Sequence, residues 1–465
     1  MTPTTALAAW AAETSHQWPD TAVKEAVRAF IDTIACMLSG AYEPPVRKAY
    51  NAVARWGKGH STVVGVPGTE DRSGLPAPWA ALINGTAAHS QDYDDVLDPA
   101  LAHVSAVLVP ALLALAEETG ASGHHCVDAY LVGFEIMARL AESMNPAHYR
   151  RGWHTTLTLG SPAVAVACAR MIGLDRRQTQ VALSLSTSLS SGSKRQFGTM
   201  TKPLHAGLAA KNGILAARLA VEGFTAADEI LEGGWSLQDL MAGSDVPGFS
   251  DRLAHIGDPP AIMQYGVWLK LYPCCASTHR SVDALLNLRR TYGLDATRIT
   301  GVEGMISKMA ADNLMYESPK DPMEARFSLH YCLASALVDG GLGPDAFTQE
   351  AIHRSAVRKL LPRIHKTMTP AFDIDQRSRV TIRLANGQEV SKTVDTPRGH
   401  PGRPLSDEEL ASKFRACAAA GGLNEIEVEM LYSTLTDFYS LPRVDALTDH
   451  LSPTGEMALG NRNTY

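Results

Sequence analysis

Asn84-Gly-Thr-Ala-Ala-His89-Ser-Gln-Asp92-Tyr-Asp94-Asp95-Val-Leu-Asp98-Pro-Ala-Leu-Ala-His103-Val-Ser-Ala-Val-Leu-Val-Pro110 sets four carboxylates and two imidazoles within fifteen residues. On either side lie the small and apolar residues of buried helices. Charge at that density among Ala, Val and Leu is unfavourable unless the groups are paired or used. An acidic surface loop between two helices is the plain alternative. The stretch is too polar for a core, however, and too apolar at its flanks for a free loop tip. His103 opens an apolar helix expected over 104–116, and a helix N-terminus favours anions.

Outward from this stretch the first half of the chain reads as helix. Apolar residues recur at helical spacing over 21–38 (Val23, Ala26, Val27, Phe30, Ile31, Ile34, Ala35), with Gly40 as a C-terminal stop. Residues 61–66 are β-branched and predict a short strand before a Pro/Gly-rich turn, and a helix from Pro78 runs into the acidic stretch. Helices are expected over 104–117 and 127–142. The next is expected over 162–172, with Ser161 as its cap and Pro162 in its first turn. Asp175 caps a helix reaching to Ser190. After a polar loop, Lys202-Pro-Leu-His205 leads into an Ala- and Gly-rich helix over 206–222, a composition suited to tight packing on a neighbour.

The character changes near Trp268. Residues 298–306 alternate in the manner of a strand, 327–339 read as helix, and 379–394 are two alternating runs around Asn386-Gly387, a hairpin signature. Beyond the Pro/Gly-rich break at 396–404, Ser406-Asp-Glu-Glu409 is a capping box, and helix resumes to Ala420. The fold class is therefore mainly α. A large all-helical domain begins at 1–267, a smaller α+β domain is inserted at 268–404, and residues 405–465 return to the helical domain.

At 465 residues, two or three domains are expected from length. The net charge of −7, from 42 basic and 49 acidic residues without a basic cluster, argues against nucleic-acid binding. No run of about 18 apolar residues suggests a membrane span, and residues 1–18 lack the pattern of a signal peptide. Seven scattered cysteines, of which only Cys274 and Cys275 are close, have neither zinc nor redox C-x-x-C spacing. A reducing, cytoplasmic location is expected.

Three further segments gather polar groups where loops meet helix starts: Trp153-His154-Thr-Thr, Phe197 to His205 with Lys202, and Lys270-Leu-Tyr272-Pro-Cys-Cys-Ala-Ser-Thr-His279. Singly, each reads as a packed histidine or a solvated lysine. Together, their two lysines and several histidines suit a small substrate with several carboxylates, and can move a proton beside one. A magnesium site has to be weighed, because Asp94-Asp-Val-Leu-Asp98 matches D-D-x-x-D. Its partner motif, Asp449, Ser452 and Glu456, contains Pro453 and Gly455 and cannot keep its ligands on one helical face. Aromatics at 6% are also too few for the lined cavity that carbocation chemistry needs.

Asn84-Gly-x-x-x-His-x-x-Asp-Tyr-Asp-Asp, Gly152-Trp-His154, Thr201-Lys-Pro-Leu-His-Ala-Gly207, Lys270-x-Tyr-Pro-Cys, Phe327-Ser-Leu-His-Tyr and Pro-Leu-Ser406-x-x-Glu-Leu-x-x-Lys-Phe414 follow in order over nearly the whole chain. In this combination the chain resembles the MmgE/PrpD family, which includes decarboxylases, epimerases and dehydratases of small polycarboxylates. The resemblance implies a helical domain with an α+β lid, a homodimer, and a site between the domains working without an organic cofactor; with the D-D-x-x-D reading set aside, no metal is expected. By similarity to the decarboxylases, the active-site positions are Asp92, His103 and His154 for catalysis and Lys202 and Lys270 for substrate carboxylates. His205, Tyr272 and His279 are added as substrate-binding candidates. Val96 stands where the decarboxylase motif has threonine, and Val104 where proline follows the histidine. Thr201-Lys-Pro-Leu-His resembles the decarboxylase and epimerase branch more than the dehydratases. The expected activity is a lyase or isomerase acting on a di- or tricarboxylate, with a dehydratase or a non-catalytic polycarboxylate-binding protein as alternatives.

Overall fold

The computed structural model describes residues 1–66, 74–372 and 377–451. Helix dominates, beginning with α1 (Pro3–Glu13) and α2 (Asp20–Gly40). The quoted stretch joins α3 (Ala77–Ser90) to α4 (Ser105–Thr119), and α5 (Gly123–Met144), α6 (Gly160–Met171) and α7 (Arg176–Thr187) follow. The α7 helix begins with a complete capping box from Asp175 and Gln178. The long α8 (Thr201–Val221) lies against α3.

Glycine governs that contact. A Cβ on Gly207 would lie 2.0 Å from the Leu82 carbonyl oxygen, and one on Gly85 2.9 Å from the Gly207 Cα. Only bare backbone allows the two helices this close. Their approach brings the C-terminal end of α3, with His89, beside the N-terminal end of α8, with Lys202. The helix was expected to begin at 206 but starts at Thr201, so Lys202 and His205 both lie in its opening turns.

Two other local expectations are corrected. Residues 61–66 form no strand; among the described residues the pairing there consists of the isolated bridges Gly59–Gly74 and Ser61–Leu75, and side chains hold the segment instead. Asn84 accepts from the Val64 N–H at 3.0 Å and donates to the Thr62 carbonyl at 2.8 Å. The Pro/Gly-rich turn that follows lies mostly outside the described residues. Ser161 does not cap a helix: it sits inside α6, and its hydroxyl donates back to the Leu157 carbonyl at 3.0 Å. A short helix at Thr155–Thr158 has already turned the chain by that point.

Beyond α9 (Ala276–Tyr292), strands β1 (Ile299–Ile306), β2 (Ile364–Met368), β3 (Ser378–Leu384) and β4 (Glu389–Val394) form one mixed sheet in the order β2-β1-β3-β4. β1 pairs parallel with β2 and antiparallel with β3. The β3–β4 hairpin turns through Ala385, Asn386 and Gly387, with Gly387 at φ 86°, the left-handed position that a three-residue loop requires. Helix α10 (Leu329–Asp339) is capped by Ser328, and α11 (Asp407–Ala420) opens with the Ser406–Glu409 capping box before α12 (Glu425–Thr436).

The buried apolar residues form two main clusters. One runs through the helices up to Leu269 and resumes at Leu405, Leu410 and Phe414. The other holds Tyr272, Cys274 and the sheet with α9 and α10. The chain passes from one to the other at Lys270. No helix among the described residues is long and apolar enough to cross a membrane.

Candidate active site

The acidic stretch is pinned to the Lys270 segment by a backbone bridge. Val96 N–H donates to the Trp268 carbonyl at 2.9 Å, and Trp268 N–H returns a bond to Val96 at 3.0 Å. That pairing carries Lys270 to Asp92. The Lys270 ammonium donates to the Asp92 carboxylate at 2.6 Å and to the Asp92 carbonyl at 2.7 Å. Asp92 itself takes a left-handed backbone conformation, φ 52°, a strained choice for a residue with a side chain.

Lys202 Nζ lies 3.3 Å from the same Asp92 oxygen, Oδ1, and His103 Nε2 lies 3.7 Å from it. Oδ2 of Asp92 is buried without a protein hydrogen bond. Lys202 also donates to His89 Nε2 at 2.6 Å, while Nδ1 of His89 lies 2.9 Å from both oxygens of Asp94. On its other side, Asp94 Oδ2 is 3.2 Å from His103 Nδ1, which also donates to the Asp95 carbonyl at 2.8 Å. A carbonyl can only accept, so Nδ1 of His103 carries the hydrogen and Nε2 is left bare. The His89 and His103 rings stand 4.1 Å apart.

The Gly152-Trp-His154 turn is fixed by the Trp153–Ser193 bridge and by His154 N–H on the Gly192 carbonyl at 2.8 Å. His154 faces His205, Nδ1 to Nδ1 at 2.8 Å, so one ring donates and the other accepts. Phe197 packs edge-on against His154, and both Phe197 and Phe327 sit under the Lys202 ammonium at 5.3 and 5.1 Å. Asp92, His103, His154, Lys202, Lys270 and His205 are thus brought together. Tyr272 and His279 are held elsewhere. Tyr272 donates to Asp283 at 2.7 Å, and His279 lies against the Cys274 carbonyl and the rings of Tyr272 and Trp268.

Burial favours uncharged Asp92, but the ammonium groups of Lys202 and Lys270 outweigh it and hold the carboxyl well below its usual range. For Lys270, burial is likewise outweighed by Asp92 and the pKa is raised, whereas burial lowers that of Lys202 despite Asp92. Burial pushes His89 down to about 3 and His205 to about 4, and it lowers His103 and His154 as well. The centre therefore combines cationic lysines with neutral imidazoles at neutral pH. His103 has 12% of its side chain exposed, against 4% or less for Asp92, Lys202 and Lys270.

The D-D-x-x-D aspartates diverge. Asp94 serves His89 and His103, Asp95 accepts from the N–H and hydroxyl of Ser105, and Asp98 pairs with His400 at 2.7 Å. The helix N-terminus expected to attract an external anion is that of α4, and the anion there is the protein's own Asp95, whose pKa burial raises to about 7. Of the partner motif, Ser452 and Glu456 lie outside the described residues. A different set, His89, Asp92, Asp94 and His103, offers ligand atoms within 4.8 Å of one another. Two ammonium groups already stand against Asp92, and both nitrogens of His89 are engaged. A dication would have to displace or neutralise those lysines, so the donor set does not fit a resident metal.

His89 and Asp94 belong to the quoted stretch, yet their pairing is invisible in it, since His89 is helical and Asp94 is not. Lys413 was legible only as part of the Lys-Phe414 motif. Its buried ammonium lies 2.6 Å from Asp32 and donates to the carbonyls of Tyr93 at 2.8 Å and Lys270 at 3.0 Å, so it braces both segments that meet at Asp92.

Residues 5–250 match the MmgE/PrpD N-terminal domain and residues 272–430 the MmgE/PrpD C-terminal domain. The chain belongs to the MmgE/PrpD family and is an enzyme of that family. It is 30% identical over 429 residues to cis-aconitate decarboxylase of Homo sapiens, covering 86% of this chain and 84% of the relative. To the cis-aconitate decarboxylase of Aspergillus terreus strain NIH 2624 it is 26% identical over 427 residues, 86% of each chain.

Proposed function

We propose that this enzyme is a cofactor-independent, decarboxylase-like lyase that moves a proton beside a carboxylate of a small di- or tricarboxylate. One observation carries it: two buried ammonium groups, Lys202 and Lys270, converge on Asp92 with the bare Nε2 of a neutral His103 3.7 Å away. Ammonium groups in a dry site bind substrate carboxylates and stabilise the charge that develops on the adjacent carbon. Decarboxylation breaks the bond to the carboxyl carbon, leaves its electron pair on the neighbouring carbon, and ends when a proton reaches that carbon. Epimerisation takes a proton from such a carbon and returns one to its other face. His103 and His154 are the proton carriers, and Asp92 orients the lysines. The names of the relatives make cis-aconitate the first substrate to test, although Val96 offers no hydroxyl to it.

Residues 268–404 act as a lid hinged near Trp268 and Pro404, closing over a site fed by both parts of the chain. The change of apolar cluster at Lys270 and the return at Leu405 support this. The family likeness supports a homodimer, and the cysteine usage supports a cytoplasmic location.

The test is proton NMR in deuterated water with cis-aconitate, citrate, 2-methylcitrate and iminodisuccinate. Release of carbon dioxide with one deuterium gained supports the decarboxylase. Deuterium exchange without loss identifies an epimerase, and loss of water a dehydratase. No change in any substrate, with binding retained, would leave a binding protein and overturn the proposal.

A further inference from the structure

A second basic site lies on the far side of the segment that carries Lys270. A cleft of about 680 Å³ opens between α9, the edge strand β4 and the stretch from Arg398 to Arg403, a size that accommodates a small organic molecule. Six charged side chains line it: Arg289, Arg290, Lys392, Arg398, Arg403 and Asp283. Five cations against one carboxylate leave it at 5 − 1 = +4, in a chain whose net charge is −7.

Asp283 cannot balance that charge, because its oxygens are already shared. Oδ1 accepts from the Tyr272 hydroxyl at 2.7 Å. Oδ2 accepts from the Arg398 N–H at 2.7 Å and lies 3.6 Å from Arg403. Arg398 turns its guanidinium to Glu409, and Arg289 donates to the Leu337 carbonyl at 3.1 Å. Arg290 and Lys392 have no acceptor among the described residues. Leu286 and Val394 give the cleft an apolar patch beside these charges. Unpaired cations held at the lip of a concave surface attract and retain multivalent anions.

We propose that this cleft binds a compact polyanion, a molecule carrying two or more phosphate or carboxylate groups, at a place separate from the Asp92 centre. Arg290 and Lys392 are its principal contacts, and Arg403 adds a third.

Calorimetric titration of the full-length protein with inorganic pyrophosphate and, separately, with tricarballylate tests this. It is run on the wild type, on Lys202→Ala and on Lys202→Ala with Arg290→Ala and Lys392→Ala added, with melting temperatures to check that each variant is folded. Saturable binding is expected in the wild type and in Lys202→Ala, weakened by about tenfold or more when Arg290→Ala and Lys392→Ala are added to Lys202→Ala and by added salt. Pyrophosphate alone meeting this pattern marks a phosphate ligand, and tricarballylate meeting it marks a carboxylate ligand. Binding to Lys202→Ala that stays undiminished when Arg290→Ala and Lys392→Ala are added to it, binding that disappears in Lys202→Ala, or binding that never saturates with either probe overturns the proposal.

Discussion

Lys202 Nζ stands 2.6 Å from Nε2 of His89, and through His89 and Asp94 it is joined to His103. His89 is fully buried and neutral, and it keeps the ammonium pointed at Asp92 rather than at solvent. Asp94 is the acceptor for two imidazoles at once. Charge and orientation at one end of this chain therefore bear on the proton carrier at the other.

His89→Ala strands Lys202 and takes one donor from Asp94. A buried group left without its partner costs about 1–3 kcal/mol of stability, and with Lys202 and Asp94 displaced turnover should fall by roughly tenfold or more. A shifted pH–rate profile should accompany the loss, because His103 then faces Asp94 alone. An unchanged profile and turnover per folded molecule would restrict His89 to packing.

Lys202→Ala and His103→Ala separate binding from proton transfer. Loss of a charge-assisted contact to a carboxylate, about 1.5–3 kcal/mol, should appear mainly as a raised KM in Lys202→Ala. His103→Ala should lower kcat by about 10²–10⁴-fold. Steady-state kinetics and melting temperatures on the same preparations decide the matter. Wild-type turnover in His103→Ala would remove it from the chemistry.

Acid should destabilise the fold from about pH 6.5 downward. His89, His148 and His205 are buried and neutral, with pKa values near 3, 4 and 4 against 6.5 in the unfolded chain. Between those values the unfolded chain binds more protons, so stability falls as pH falls, by up to about 1.4 kcal/mol per pH unit for each histidine. Asp92 adds a further loss only below its unfolded value of 3.8, since its folded pKa is lower still. Urea midpoints measured at pH 7.5, 6.0 and 5.0 should drop progressively; equal midpoints contradict the neutral, buried assignment.

Prolonged dialysis against EDTA should leave activity intact, since Lys202 and Lys270 already supply the positive charge at Asp92. Activity lost to the chelator and regained with magnesium would point instead to His89, Asp92, Asp94 and His103 as metal ligands.

The sequence by itself determined the helices of the first half, the capping boxes at Asp175 and Ser406 and the β3–β4 hairpin, because apolar periodicity, caps and turn residues act over a few residues. Asp92, His103, His154, Lys202 and Lys270 became candidates through the likeness of their motifs to those of a family, since each one singly reads as a packed histidine or an ordinary charged side chain. The sequence did not reveal β2, whose five residues pair with β1 across more than fifty intervening positions, nor that Ser61 to Val66 would be held by Asn84 instead of by a strand. Only the tertiary structure decided which charges meet. The bare contact of Gly85 with Gly207 sets Lys202 against His89, and the Val96–Trp268 bridge sets Lys270 against Asp92. Those contacts join segments far apart in the chain, and their geometry depends on how helices pack rather than on any local pattern, so Asp94, Asp95 and Asp98, within five positions of one another, end with three different partners.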